Sequence, residues 1–576
     1  MLSFSVTTED AYISFRYAEN IASGYGIVFN NGGEVVEGYS NPTWVALLTL
    51  ANIFGLNSVL AGRCLGLLFG ALLLVEITTL FRLLRPERPL SGIYPALVFL
   101  TVPMFLFWTQ TGLENSLFIW LVAIGMRLAI CEATQGSKFP FSAIPYFFLA
   151  ITRPEGIVFF AITCCWKIAN NKSNDKLQGR SSVLLWAAIV IILFLAFELW
   201  RYMTFGEWVP NTFFAKVNKG GRHNLRMGTL YILGFLNHSA WIPVVLPFLI
   251  RLIFVKARLT LVQSRFIWLL ALHTLALIAF ILFVGRDIHP YDRFCVPFML
   301  FSALAAFIMI PESVDNGRLG RASQVIIVAI FIIGNLAYSF PPAYKIEPPI
   351  TRPPNMLIAN IAGLINGRTS FNKIDGIIAR FADPPVDALE FVGRDLRDNP
   401  DVNGLLAAEQ CGKIPYYYGG PVLDLLGLND SIIARIIHSN STWDIYAREI
   451  FKHAPENFVM VYSSGHLISR YYIENTVLSL PFQNRYELDA IYHVDYYFND
   501  LIGNEHSFSL ELVRYRAKDG HYADPLTKEE EEWLLKWKDV DYSAENDDLY
   551  GSIVEAFRER IKDDPERLIE HGVHLN

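Results

Sequence analysis

The feature that most constrains this chain is a series of long apolar blocks, most of which lie before residue 341. Of its 576 residues, 53% are hydrophobic and only 18% are charged. An ordinary soluble protein of this size is less apolar. Blocks of about 20 apolar residues are long enough to cross a bilayer as helices. The sequence therefore predicts a polytopic α-helical membrane protein.

A broken apolar region adds a helical hairpin to the predicted spans. Residues 139–168 are apolar but are interrupted by Arg153-Pro154-Glu155-Gly156, which predicts two short arms that enter from one side. With this hairpin we expect about ten segments. Residues 42–54 are too short to span and should lie along the outer interface or dip in and out, with Trp44 at the headgroup level. The remaining candidate spans are 60–80, 92–109, 114–131, 182–203, 229–252, 266–284, 294–312 and 323–340.

Basic residues between the spans set the predicted orientation. They form four clusters, and with the hairpin counted as two crossings all four fall on one side, which is cytoplasmic by the positive-inside rule. The opening segment, three loops and everything after residue 341 then lie outside, and the chain is predicted to be a multi-pass protein of the cytoplasmic (inner) membrane. The clusters are Arg82, Arg85 and Arg88; Lys167, Lys172, Lys176 and Arg180; Arg251, Lys256, Arg258 and Arg265; and Arg318 and Arg321.

Composition divides the chain into five predicted parts. They are a polar opening loop at 1–41, a multi-span domain at 42–340, a Pro-rich linker at 341–355, an extracytoplasmic α/β domain at 356–523 and an acidic helical tail at 524–576. The α/β assignment rests on helix-like runs at 387–397 and 431–438 and strand-like runs at 458–462 and 508–515. An opening loop outside the membrane requires a preceding span, so we expect an apolar helix upstream of Met1.

Two adjacent carboxylates, Glu9 and Asp10, begin a helical pattern in the opening loop. The spacing from Thr7 to Asp10 predicts a capping box, and the helix should end at Gly24. A carboxylate at a helix N-terminus beside a membrane is equally suited to act as a general base. The residues alone leave both roles open.

Basic residues on the outer side are candidates for binding a lipid phosphate, because activated substrates outside the cytoplasm are usually phosphate-linked lipids. Headgroup contact is the alternative for each, and a structural ion pair is a further alternative for Arg153 and Arg293. A net charge of −7 and the lack of a basic stripe argue against nucleic-acid binding. The candidates are Arg16, Arg63, Arg153, Lys216, Arg286 and Arg293.

Residues 285–294 pack two acids, two arginines and a histidine into one predicted external turn. Asp287 and His289 are therefore further candidates for the substrate site. His289 lacks a second ligand at helical spacing, which disfavours a metal site. We assign no metal ligands and no cofactor, although a divalent cation remains open.

Several segments, in their order along the chain, resemble motifs of bacterial GT-C superfamily glycosyltransferases, which are integral-membrane enzymes that use polyprenyl-phosphate sugars. The opening EDAYISFRYA at 9–18 is similar to DDAYISFRYA. Further matches are EGYSNPTW at 37–44 with EGYTNPLW, TGLE at 111–114 with SGLET, TRPEG at 152–156 with TRPEG, GEWVPNTFFAK at 206–216 with YGxxLPNTFYAK, 285–294 with GGDWMPxYRF, CGKIPYY at 411–417 with AGAIPYYSG, and DLLGLND at 424–430 with DxxGLxD.

The resemblance, which includes the mycobacterial-type terminal arabinofuranosyltransferases, implies an inverting transfer from a polyprenyl-phosphate sugar to an envelope glycan, lipid or protein. It implies Asp10 as the base, with Glu9 as the second acid of the pair, since Glu9 stands where the family usually has Asp. It further implies phosphate contacts from Arg16, Arg153, Lys216, Asp287, His289 and Arg293, and acceptor-side contacts from Glu37, Tyr39, Asn41, Glu114 and Asn211.

Two other classes remain open from the residues alone. A lipid-linked saccharide flippase or exporter would need polar residues along the interior of its spans, where Glu76 and Glu198 are the unexplained acids. A membrane scaffold with an external binding domain would have no use for an acid pair beside a membrane wall.

Overall fold

The structure is a computed structural model and contains two groups of elements, a helical domain and a C-terminal domain that carries a β-sheet. It describes residues 7–87, 92–100, 102–135, 139–170, 176–216, 221–238, 259–285, 292–308, 328–329, 387–463, 466–467, 471–499, 505–518, 522–539, 547–560 and 567–574.

The helical domain, counted here with the first helix, α1, consists of helices of very different length. In chain order they are α1 (Glu9–Ala22), α2 (Pro42–Ile53), α3 (Ser58–Leu84), α4 (Ile93–Leu100), α5 (Pro103–Trp108), α6 (Asn115–Gln135), α7 (Ala143–Thr152), α8 (Gly156–Asn170), α9 (Lys176–Phe205), α10 (Asn211–Lys216), α11 (Gly221–His238), α12 (Leu261–Val284) and α13 (Val296–Ile308). Within the described ranges, four helices are long and apolar enough to cross a membrane, namely those at 58–84, 115–134, 182–205 and 261–284.

The structure supports some of the expected segments and corrects others. The broken region forms two helices, α7 and α8, as predicted, with the break at residues 153–155. The predicted span 92–109 is wrong as one helix, because α4 ends at Leu100 and Pro103 begins a separate helix. Proline lacks an N–H group and disfavours a helical residue before it, which explains the interruption. Residues 239–252, 309–312 and nearly all of 323–340 lie outside the described residues.

Helix α2 is short, as expected, but Trp44 does not lie among headgroups. Its side chain is fully buried, and its indole N–H donates to the carbonyl oxygen of Gly112 at 2.8 Å. This hydrogen bond holds α2 to the turn between α5 and α6. The predicted interfacial position of Trp44 is therefore wrong, because a buried indole N–H requires a partner and finds one inside the protein.

The predicted capping box at the start of α1 is also wrong. Thr8 is the N-cap residue and its side chain makes no capping bond. The Thr7 hydroxyl instead accepts from the Arg63 guanidinium at 2.7 Å, and the Thr8 hydroxyl donates to the Thr111 carbonyl at 3.3 Å. Tertiary contacts thus use both hydroxyls. The end of the helix agrees with the prediction, since Gly24 adopts a left-handed φ of +83° directly after the C-cap residue.

The C-terminal domain comprises the elements from α14 to β7. They are α14 (Ala388–Asp398), β1 (Leu406–Ala408), α15 (Lys413–Tyr418), β2 (Val422–Asp424), α16 (Ser431–His438), α17 (Trp443–His453), β3 (Asn457–Ser463), β4 (His466–Leu467), α18 (Tyr471–Leu478), α19 (Leu480–Arg485), β5 (Tyr486–Asn499), β6 (Glu505–Ala517), α20 (Lys528–Trp537), α21 (Asp547–Arg560) and β7 (Leu568–His574).

The sheet has the order β2-β1-β3-β6-β5-β7, with β4 paired to β3. Strand β1 runs parallel to β2 and β3, whereas β6 is antiparallel to both β3 and β5. The helical and strand-like runs predicted at 387–397, 431–438, 458–462 and 508–515 are all present. The acidic tail contains helices, but its last segment forms β7 and pairs in parallel with β5, which the charge pattern of the tail did not predict.

Helix α1 is buried between two cores. Ala11, Phe15 and Ala18 belong to the core of the helical domain. Ile13 and Tyr17 belong to a second core that contains residues of β1, β2 and α15. The helix therefore holds the beginning of the chain against both domains.

Gly66 provides a test of the packing of α3. A Cβ at this position would lie 2.3 Å from the carbonyl oxygen of Thr109, which is backbone and cannot turn away. We expect Gly66→Ala to lower the unfolding free energy by about 1–3 kcal/mol, although Gly→Ala normally stabilises a helix. Gly221→Ala, at a site with open space, is the matched control. Thermal unfolding in detergent measures both, and an equal or higher melting temperature for Gly66→Ala would contradict this packing.

Candidate active site

The two acids at the start of α1 have different environments. Both Glu9 carboxylate oxygens face the N-terminus of α15, accepting from the Gly412 N–H at 2.6 Å and the Lys413 N–H at 2.9 Å. Burial raises the pKa of Glu9 to about 7, although these N–H bonds and the Lys413 ammonium act in the opposite direction. Glu9 is thus occupied by a contact with the C-terminal domain.

Asp10 retains exposed surface, with a side chain that is 24% exposed. It lies in the first turn of α1, where the helix dipole favours negative charge. The Lys216 ammonium, which is itself 48% exposed, lies 3.4 Å from an Asp10 carboxylate oxygen. Lys216 is the last residue of α10, so the fold brings together two motifs that are separated by about 200 residues.

Arg16 is placed differently from the prediction. Its buried guanidinium donates to the carbonyl oxygens of Phe29 at 2.7 Å, Gly420 at 2.7 Å and Pro415. It also donates to the Asn30 side chain at 3.1 Å. Because these protein oxygens already use its donors, the contacts favour a structural role for Arg16 over the predicted binding of a lipid phosphate.

A buried polar network joins four of the sequence motifs. The Ser14 hydroxyl donates to Asn41, and the Asn41 amide donates to Glu114 at 2.7 Å. The Arg153 guanidinium binds Glu114 at 2.6 Å and Glu155 at 2.5 Å. The network supports the interpretation of Arg153 as part of a structural ion pair. Asn41 and Glu114, which were predicted on the acceptor side, lie inside the protein as members of it.

Two further acceptor-side candidates, Glu37 and Tyr39, are buried beside a residue that the sequence analysis missed. The Arg201 guanidinium binds both Glu37 oxygens, at 2.8 and 3.3 Å, and also binds Glu198 at 2.5 Å. Tyr39 packs edge-on against Tyr17. Arg201 lies near the end of a predicted span and outside every sequence motif. The signals that could have identified it are the acids Glu198 and Glu37, because each requires a basic partner when it is buried.

Asn211 attaches α10 to the C-terminal domain. Its side-chain amide donates to the carbonyl oxygens of Gly427 at 2.8 Å, Leu428 at 3.0 Å and Asp430 at 3.2 Å. The adjacent loop makes a second contact, an ion pair between Glu207 and Arg435. Asn211 therefore positions the loop that carries Lys216, and it is buried rather than presented to a substrate.

Arg293 is the remaining described cation among the predicted phosphate ligands. Its guanidinium lies 5.8 Å from the Trp108 ring centroid and 5.3 Å from that of Phe294. Arg153 lies over the same Phe294 ring at 5.6 Å, so Arg293 adjoins the buried network. The predicted residues Asp287 and His289 lie outside the described residues. Within the described ranges, no group of three or more His, Cys, Asp or Glu residues could hold a metal ion.

Comparisons with known proteins identify the fold. Residues 386–510 match the model of a domain of unknown function, DUF8728. No curated protein matches the chain by sequence. The crystal structure of ArnT from Cupriavidus metallidurans bound to undecaprenyl phosphate is similar, with 13% identity, a TM-score of 0.52 and coverage of 90% of this chain and 95% of that one.

Weaker structural similarity extends to two other solved chains. The apo state of the same ArnT gives 12% identity and a TM-score of 0.48, over 90% of this chain and 95% of that one. The archaeal oligosaccharyltransferase AglB from Archaeoglobus fulgidus, in complex with an inhibitory peptide and a dolichol-phosphate, gives 12% identity and a TM-score of 0.41, over 91% of this chain and 71% of that one.

The match to undecaprenyl phosphate-bound ArnT confirms the predicted fold class, a GT-C-like polytopic helical membrane protein with a C-terminal α/β region. These similarities do not confirm the terminal arabinofuranosyltransferase-like group, so that part of the sequence resemblance remains a prediction.

The buried Arg153 network predicts a large effect on stability. Arg153→Met leaves the carboxylates of Glu114 and Glu155 without their cation, which should cost about 3–5 kcal/mol of unfolding free energy. Arg394→Met is the matched control, because the Arg394 side chain in its pair with Glu390 is 47% exposed and should contribute less than about 1 kcal/mol. Thermal unfolding compares them, and equal losses would contradict a buried network.

The raised pKa of Glu9 predicts how stability depends on pH. A carboxyl whose pKa is raised on folding binds more protons in the folded state, so its contribution declines as pH rises from 4.5 to about 7. Glu9→Gln removes this titration. We expect the melting temperature of wild type minus that of Glu9→Gln to shrink over this interval. A difference that grows with pH would show that the folded state prefers the ionised carboxylate.

Proposed function

We propose that the chain is a membrane glycosyltransferase of the GT-C type. It transfers a sugar from a polyprenyl-phosphate carrier to an envelope glycan, lipid or protein, with inversion at the anomeric carbon. The observation that carries this proposal is the pairing of a partly exposed Asp10 with Lys216 at the junction of the helical and C-terminal domains. The sequence motifs resemble those of GT-C glycosyltransferases. The fold shared with ArnT, whose crystal structure holds undecaprenyl phosphate, is consistent with this proposal.

Asp10 acts as the general base in the proposed reaction. Its carboxylate removes the proton from the acceptor hydroxyl while that oxygen forms a bond to the anomeric carbon of the sugar. The bond between this carbon and the phosphate oxygen breaks on the opposite face, and the electron pair leaves with the polyprenyl phosphate. A positioned base contributes about 10²–10⁴ in rate, so its removal should be readily measured.

Lys216 and Arg293 are the proposed cations for the departing phosphate. Lys216 is half exposed and already borders Asp10. Arg293 lies against Trp108, the last residue of α5. The turn that follows α5 carries the carbonyl oxygen of Thr111, which accepts a hydrogen bond from Thr8, the residue directly before the acid pair. Fixed positive charge stabilises the negative charge that develops on the leaving phosphate. The apolar helices beside this junction would hold the lipid chain in a multi-pass protein of the inner membrane.

The intramembrane charges give no support to the transport alternative. Glu76 of α3 pairs with Arg127 of α6, and Glu132 of α6 pairs with Lys167 of α8 at 2.6 Å. These ion pairs join neighbouring helices. Glu198 of α9 pairs with Arg201 on the same helix at 2.5 Å, so both acids considered for a transporter, Glu76 and Glu198, have structural partners. No described contact favours the scaffold alternative over an enzyme.

Asp10→Asn tests the base assignment while preserving side-chain size. In cells that lack the native gene, wild type should restore the envelope glycan profile, whereas Asp10→Asn should reduce sugar transfer by at least about 10²-fold and leave lipid-linked sugar unconsumed. Mass spectrometry of envelope glycans and of polyprenyl-phosphate sugars measures both quantities. The control is Asp398→Asn, an exposed acid paired with Arg397. Wild-type transfer by a normally inserted Asp10→Asn protein would refute the assignment.

A further inference from the structure

One face of α1 is bonded to the C-terminal domain along its whole length. Glu9, Tyr12, Arg16 and Glu19 are spaced by three or four residues and therefore lie on one side of the helix. Each bonds to α15 or to the residues beside it. The contacts are Glu9 with the N–H groups of Gly412 and Lys413, Tyr12 with Tyr417, Arg16 with the carbonyls of Pro415 and Gly420, and Glu19 with the Tyr416 hydroxyl. We call this set of contacts the α1–α15 interface.

The Glu9 contact depends on the absence of a side chain at Gly412. A Cβ at Gly412 would lie 2.1 Å from the backbone oxygen of Glu9 and 2.8 Å from its carboxyl carbon. Only glycine therefore allows the backbone of α15 to approach the start of α1 this closely. Any larger residue at position 412 must move the start of α1 and α15 apart, and Asp10 is the next residue of α1.

Lys216 is attached to the same domain by an independent route. Helix α10 begins at Asn211, whose amide binds the carbonyl oxygens of Gly427 and Leu428 in the C-terminal domain. The α10 ring of Phe214 also packs edge-on against His438 of α16, with ring centroids 5.4 Å apart. Both members of the Asp10–Lys216 pair thus belong to helices that the C-terminal domain holds in place.

We propose that the C-terminal domain positions the Asp10–Lys216 pair for catalysis, and that Glu9 is a positioning residue that orients Asp10 through its bonds to α15. This inference rests on the proposed function. Glu9 does not exchange a proton with the acceptor; its two backbone bonds fix the first turn of α1. A displacement of a reacting group by about 1 Å can cost 10²-fold in rate, so loss of this contact should lower kcat without changing how the donor binds.

The test uses the full chain in liposomes, with the total lipid-linked sugar extract of the source cells as the donor probe and an envelope extract of the same cells as the acceptor. Glu9→Gln removes the charge and turns an amide donor toward one of the α15 N–H groups. We expect kcat to fall by at least about tenfold, while the apparent KM for the extract stays within about twofold. Gly412→Ala should reproduce this pattern from the other side of the contact.

Glu19→Gln is the matched control. It makes the same chemical change on the same face of α1 and weakens a contact with α15 by removing the charge of the acceptor, but it lies ten residues, or about 15 Å, from Glu9 along the helix. A general loosening of the α1–α15 interface would lower kcat in both variants. A specific effect on Asp10 lowers it only in Glu9→Gln, even where the two variants have similar melting temperatures.

A second readout does not depend on activity. Asp10→Cys is alkylated with a water-soluble maleimide, in the presence of Glu9 and in the Glu9→Gln background, and peptide mass spectrometry isolates position 10 from the native thiols. Positioning by Glu9 predicts a clear difference in the alkylation rate between the two backgrounds, and equal rates would overturn it. Wild-type kcat in Glu9→Gln, or a loss equal to that of Glu19→Gln, would overturn it as well.

The two proposals fail in different ways. If the wild-type protein consumes no donor, or if Asp10→Asn turns over like wild type, the proposed function or its base assignment fails, and the alkylation comparison alone decides the role of Glu9. If Asp10→Asn is inactive while Glu9→Gln is fully active, the proposed function stands and the positioning role is refuted.

Discussion

The burial of α1 between two cores is the constraint on which the rest of the structure depends. Its apolar side chains pack into the helical domain and into the core beneath the sheet, and its polar face bonds to α15. A short helix in this position has little surface left for solvent. The proposed chemistry lies in its first turn, where Asp10 is partly exposed, and the buried residues 11–18 join the two domains.

The motif residues separate into those that hold the fold and those that are available to a substrate. Arg16, Glu37, Asn41, Glu114 and Arg153 are buried and bonded to protein groups, which is the expected state for charged and polar side chains taken out of water. Asp10 and Lys216 retain exposed surface. Similarity to an enzyme motif therefore does not itself show whether a residue is structural or catalytic. A buried junction requires specific polar residues as much as a reaction does.

The sequence predicted the fold class and the start of the candidate site because local patterns determine them. Apolar length predicted α3, α6, α9 and α12, and the interrupted apolar run predicted α7 and α8. These features depend on residues that are close together in the chain.

Partners that are far apart in the chain could not be predicted in this way. Glu9 bonds to Gly412, Glu37 pairs with Arg201, and the C-terminal tail forms strand β7 of the sheet. No periodicity connects such positions. The hydroxyls of Thr7 and Thr8 show the same limit. The residue types fit a capping box, but the two hydroxyls bond to Arg63 and to the Thr111 carbonyl oxygen instead.

The glutamate at position 9, where the resembling motif begins with aspartate, has a physical explanation in this interface. Its side chain is one methylene longer, which adds about 1.5 Å of reach. That reach lets both carboxylate oxygens meet the first two N–H groups of α15, while Gly412 leaves room for the backbone of Glu9. Glu9 and Gly412 are thus complementary: the longer acid makes the contact, and the missing Cβ permits it. The first acid thus contacts α15 in this chain, while Asp10 keeps a side chain that is 24% exposed.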